Sequence, residues 1–106
     1  MFSILIGCSN KETFNYKRDS PEWLKAKIDS VTTTNPKYYG AMKVFRYEWK
    51  EQYIYHFWIP ASSCAYCEVY DQNGLKIQLT EDTERTDFQN NKSNKVLVWD
   101  WFSYYK

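Results

Sequence analysis

From residue 42 onward the side chains alternate in character with a period of two, and no other feature narrows the possible folds as far. Residues 42–49 read MKVFRYEW and put Phe45, Tyr47 and Trp49 on one face, with Val44, Arg46 and Glu48 on the other. That is the pattern of a β-strand with two unlike faces. Residues 53–59, YIYHFWI, are apolar or aromatic on both faces apart from His56, so they are expected to form a central strand covered on both sides. Lys50-Glu51-Gln52 then makes the loop of a hairpin. A second hairpin is expected where residues 67–71 and 75–79 flank Gln72-Asn73-Gly74, because Asn-Gly accepts the positive φ angles that tight turns demand. Residues 82–94, DTERTDFQNNKSN, are polar and read as a long loop. The last strand is expected over residues 95–104, KVLVWDWFSY, with Leu97, Trp99 and Trp101 on one side and Val96, Val98 and Asp100 on the other.

One helix precedes these strands. In Ser20-Pro21-Glu22-Trp23 the serine can cap exposed N–H groups, proline suits the first helical position, and the glutamate favours the positive end of the helix dipole. Leu24, Ile28 and Val31 fall at i, i+4 and i+7 and make one apolar stripe beside Trp23. The helix is expected to end near Ser30, since Thr32, Thr33, Thr34 and the pre-proline Asn35 resist helical geometry. One N-terminal helix packed on a curled antiparallel sheet of four to five strands is an α+β fold. This layout resembles the cystatin-like or roll arrangement of small secreted bacterial domains. A single helix covers only part of such a sheet, which leaves aromatic side chains on the other face.

A chain of 106 residues suffices for one domain with its own core. Aromatic residues make up 20%, including ten Tyr and five Trp, which suits strands better than a helical bundle. Fourteen Lys and Arg against thirteen Asp and Glu leave a net charge of +1, with no basic block to follow a phosphate backbone, so no nucleic-acid partner is expected. Beyond residue 10 no apolar run approaches the roughly 18 residues of a membrane-spanning helix.

Cysteines stand at positions 8, 64 and 67. Leu5-Ile6-Gly7-Cys8 resembles the lipobox of bacterial lipoproteins, in which the cysteine is lipidated on sulfur and becomes the mature N-terminus. The resemblance implies a membrane anchor through a lipid on Cys8, a place in the bacterial cell envelope at the outer membrane or periplasm, and Cys64 and Cys67 left as a pair. Residues 1–8 then form a truncated signal remnant. Residues 9–19 are polar and aperiodic, as a flexible tether is, and residues 20–106 form the folded domain. The other reading of the start is an edge strand over residues 2–6, with Cys8 as a small buried hydrophobe.

Cys64-Ala65-Tyr66-Cys67 admits several chemistries. Zinc needs further donors, and the only histidine, His56, lies in an expected strand. A redox pair should open a helix that lowers the thiol pKa, whereas here a hairpin follows. A structural disulfide bracing the loop suits an oxidising compartment. His56 with Glu48, Asp71 or Asp100 has the groups for acid-base work, but their spacing in the chain does not bring them together. No G-x-S-x-G, phosphate-cradling glycine loop or H-E-x-x-H occurs, so neither an enzyme, a metal site nor a cofactor is expected.

The surplus of aromatics points to binding. Phe45, Tyr47, Trp49, Tyr55, Trp99 and Trp101 are the candidate surface, either a stacking platform for a sugar or anchors for a protein partner, although many of them are also needed for a core. The lipobox-like start, the polar tether, the helix start Pro21-Glu22-Trp23-Leu24 and the hairpin from Cys67 through Tyr70-Asp71-Gln72-Asn73-Gly74 together resemble small uncharacterised lipoprotein domains of the Bacteroidota. That resemblance implies an address and a fold, and no activity. The expectation is a binding or inhibitory module for a protein or glycan, with a structural accessory subunit of an envelope complex as the alternative.

Overall fold

The chain reverses direction at Lys50 and Glu51, both at positive φ (53° and 64°), the geometry of a two-residue hairpin turn. This turn pairs β1 (Lys43–Trp49) with β2 (Gln52–Trp58) in a register running from Trp49 opposite Gln52 to Lys43 opposite Trp58. The loop is one residue shorter than expected, because Gln52 already belongs to the ladder. The computed structural model describes residues 14–104. Within them the remaining elements are α1 (Tyr16–Asp19), α2 (Glu22–Thr34), α3 (Pro36–Tyr39), β3 (Val69–Asp71), α4 (Asp82–Asn91), β4 (Ser93–Asp100) and α5 (Trp101–Tyr104). The strands form one antiparallel sheet of order β3-β2-β1-β4. The architecture is therefore α+β, with the two long hairpin strands at its centre.

Alternation along β1 and β2 splits the core in two. On one face Val44, Tyr55, Phe57 and Tyr70 pack with Leu24 and Ile28 of α2, the stripe that helical spacing anticipates. α2 starts one residue later than expected. Pro21 is its N-cap and receives the N–H groups of Leu24 and Lys25, while Ser20 ends α1 and its hydroxyl caps nothing. The helix also outlasts Ser30 by four residues. Thr32 and Thr34 return their hydroxyls to the carbonyls of Ile28 and Ser30 at 2.7 Å, and buried Thr32 extends the packed stripe. β-branched residues lower helix propensity only slightly, and tertiary packing outweighs that here.

On the opposite face Tyr47, Trp49, Ile54 and Val69 form a second core with Leu79 and Phe88. Phe88 belongs to α4, a helix where a polar loop is expected. It is the only buried residue of that helix, so no apolar period marks it. Asp82 and Glu84 in the first turn favour the helix dipole. Arg85 pairs with Asp82 and donates to the carbonyls of Leu79 and Thr80, and the Trp49 indole N–H donates to Asp87 at 2.9 Å.

β4 departs from simple alternation twice. Val44 faces Trp99 and Phe45 faces Leu97, which leaves Val98 as the extra residue of a β-bulge. Between Arg46 and Glu48 the partners jump from Val96 to Ser93, beside Asn94 at φ 53°. Trp99 therefore joins the α2-side core with Val98, while Leu97 points to the other face; the expected grouping of Leu97 with Trp99 is corrected. The strand stops at Asp100, and Trp101 opens α5. The arm expected over residues 75–79 makes only a single bridge, Tyr70 to Lys76. At the other end, residues 1–13, including Cys8, lie outside the described residues. From Phe14 onward the segment read as a tether is packed: Asn15 caps α1, and Tyr16 is buried in the α2-side core.

Candidate functional site

α4 covers only one end of its sheet face. Phe88 meets Trp49, Tyr47 and Tyr66 edge to face, with ring centroids 5.1, 6.0 and 5.5 Å apart. Towards the far end of the hairpin this cover runs out. There Leu97, Phe45 and His56 lie abreast on β4, β1 and β2, and Lys43 sits between Asp100 and Trp58 in the next row. Trp58 is 44% exposed and Leu97 49%. They flank β1 on the same face, with Lys43 and Phe45 between them, and apolar side chains left open on one face mark a binding surface more often than one standing alone.

Two shallow depressions meet at this patch. One, of about 300 Å³, is lined by Lys43, Phe45, Tyr47, His56, Trp58 and Lys95. The other, of about 320 Å³, shares His56 and Trp58 and continues along Ser62, Ser63 and Ala65. Lys95 holds its ammonium 4.3 Å from the Phe45 ring centre, and Lys92 lies 5.2 Å from that of Tyr47. Lys43 is paired with Asp100 at 3.3 Å. Cations over ring faces gain about 0.5–1 kcal/mol at exposed sites, enough to bias where the two flexible stems rest.

His56 forms the floor. It is buried, and its Nε2 lies 2.7 Å from the Ala65 carbonyl. A carbonyl only accepts, so Nε2 carries the proton and donates it, and the neutral ring keeps Nδ1 as an acceptor. Burial pushes the imidazole below its ordinary pKa of 6.5; the bond to Ala65 opposes this, and Lys92 and Lys95 add to it. The bond ties strand β2 to the loop carrying Cys64 and Cys67. Their sulfurs lie at disulfide-bonding distance with Cα atoms 5.6 Å apart, and both residues are exposed. Tyr66 between them tucks inward, 5.4 Å from the His56 ring. A further hollow of about 490 Å³ runs from this loop past residues 76–80 to Arg85.

The residues anticipated from sequence separate. Phe45, Tyr47 and Trp49 share a face as alternation requires, yet Tyr47 and Trp49 are buried beneath α4 and only Phe45 reaches the open end. Tyr55 and Trp99 are buried in the other core, and Trp101 packs against it. They do not form one surface with Phe45. Of the carboxylates, Asp100 pairs with Lys43, and Asp71 accepts the N–H groups of Asn73 and Leu75 within its own turn. Among the described residues no three His, Cys, Asp or Glu side chains gather as a metal-binding group. Trp58, Leu97, Lys43 and Lys95 did not stand out in the sequence. The signal for Trp58 was the hairpin register, which places it opposite Lys43 once the turn is two residues long. No protein-family model, curated protein or solved structure matches the chain, so the functional reading rests on this geometry.

Proposed function

We propose that the chain is a non-catalytic binding module of the bacterial cell envelope, anchored through a lipid on Cys8, and that it meets its ligand with the open end of the α4-side sheet face. One observation carries the reading. Trp58 and Leu97 stay about half exposed at one end of a face whose other end is covered by Phe88. Leaving a Trp and a Leu open forfeits roughly 25 cal/mol for each Å² of apolar surface not buried, a cost that binding offsets. His56 supports a structural floor rather than acid-base work, since its Nε2–H is committed to Ala65.

The cystatin-like or roll arrangement belongs to the same proposal. Its support is α2 packing Leu24 and Ile28 on one face of an antiparallel sheet; α4 on the other face is a layer that such an arrangement does not require. A crystal structure in which the sheet fails to curve around α2 rejects it.

Co-sedimentation of the full chain with isolated bacterial envelopes tests the binding face. The wild type is expected in the pellet even when unlipidated, and Trp58→Ala with Leu97→Ser in the supernatant. Equal pelleting of both removes this surface as the binding site. Intact mass from native membranes tests the anchor separately, through a lipid adduct on Cys8.

A further inference from the structure

The open face also carries an excess of positive charge. Lys95 lines the first depression with its ammonium 4.3 Å from the Phe45 ring centre and forms no ion pair with a carboxylate among the described residues, while Asp100 is taken by Lys43. An anionic group on a ligand would complement this charge. Its size is bounded as well. The two joined depressions, about 300 and 320 Å³, fall in the range of about 300–1,000 Å³ typical of small-ligand sites. The lining is equally selective: the rings of Trp58 and Phe45, the Lys43 and Lys95 side chains, the edge of the His56 imidazole, and Ser63. Flat apolar rings with mixed donors and acceptors suit a ring that is apolar on its faces and hydroxylated at its edge.

Resting on the binding-module reading, we infer that the groove takes an anionic oligosaccharide of the uronate type. One sugar ring stacks on Trp58, with its carboxylate towards Lys95, and the chain continues past His56 towards Ser62 and Ser63. Exposed stems and an open groove make binding weak for each sugar, so affinity grows with chain length.

Titration of the full chain with hexagalacturonate, followed by calorimetry and by the Trp58 indole N–H resonance, tests this. Cellohexaose serves as the neutral sugar and hexaglutamate as the acidic peptide. Hexagalacturonate is expected to shift the Trp58 resonance and to bind about tenfold more tightly than either comparison probe. Trp58→Ala should abolish binding, and Lys95→Gln should weaken it about fivefold and flatten its salt dependence. Both side chains are at the surface, and unchanged denaturant midpoints establish that the variants fold. Equal binding of cellohexaose, or no effect of Lys95→Gln, overturns the anionic preference and leaves a sugar-binding face. Preference for hexaglutamate at the same residues overturns the sugar and keeps the binding module. If no probe binds and Trp58→Ala with Leu97→Ser still pellets with envelopes, both readings fall.

Discussion

The Trp23 indole fills the space that a Cβ would need at Gly74: three of its ring carbons lie 2.9–3.2 Å from that position. The same indole donates its N–H to the Gln72 carbonyl at 2.9 Å and meets Tyr55 edge to face. Trp23 thus locks α2 onto the Asn-Gly turn, two motifs 49 residues apart in the chain. Gly74 also sits at φ +90°, where an L side chain is strained. Gly74→Ala is expected to destabilise the fold by about 1–3 kcal/mol, seen as a lower midpoint in urea with an unchanged slope. Trp23→Ala in the Gly74→Ala background should add less than it does alone. Full additivity would mean that the two positions are not coupled.

At the β1–β2 turn the reverse holds, because Lys50 and Glu51 occupy positive φ without being Gly, Asn or Asp. Left-handed backbone costs an ordinary L residue roughly 1 kcal/mol. Glu51→Gly should therefore raise stability by about 0.5–1 kcal/mol. An unfolding midpoint that stays put or falls argues against strain at this turn.

This turn also shows where reading by sequence stops. Alternation in residues 42–49 and 53–59 was enough to place both central strands and their faces, because burial on one or both sides imposes a period of two. Lys50-Glu51 carries none of the residues that announce a tight turn, so alternation alone makes the loop one residue too long. The cross-strand pairing of Lys43 with Trp58 was lost with it. A slip of one residue moves every side chain to the wrong neighbour, and the open site is made of such neighbours. In β4 the bulge at Val98 obeys tertiary packing: it lets Trp99 enter one core while Leu97 stays on the other face, and no composition signals that. Phe88 alone could not mark α4, since an apolar stripe needs at least two members. The Asn-Gly turn is legible because its chemistry is local, and its second arm returns to β3 through one bridge, Tyr70 to Lys76, and the backbone hydrogen bonds Asp71 to Leu75 and Ile77 to Val69.

Phe88 is the single buried anchor of α4 and the centre of three edge-to-face contacts. Phe88→Ala should cost about 3–5 kcal/mol. Amide exchange should show α4 losing protection first, while the β1–β2 ladder keeps more. The loop at Tyr66 should loosen with it, since Tyr66 packs on the same ring. Uniform loss of protection across the sheet would instead mean that α4 and the sheet unfold as one unit.

His56 and Asp19 make stability depend on pH in two separate windows. Burial holds the native His56 pKa below its ordinary 6.5. As pH falls through about 6.5, the unfolded chain takes up a proton there that the native chain refuses, so stability declines from that point until the native ring titrates. Asp19 behaves likewise at lower pH: hydrogen bonds from the Arg18 side chain and the Asn15 N–H bring it from 3.8 to about 2. Its contribution is complete above 3.8 and lost as pH falls towards 2; because this carboxylate is exposed, solvent screens part of it. His56→Gln can still donate to the Ala65 carbonyl but does not titrate. Urea midpoints measured from about pH 7.5 to 5 should fall for the wild type and stay level for His56→Gln. A slope that persists in the variant would assign the dependence to groups other than the buried imidazole.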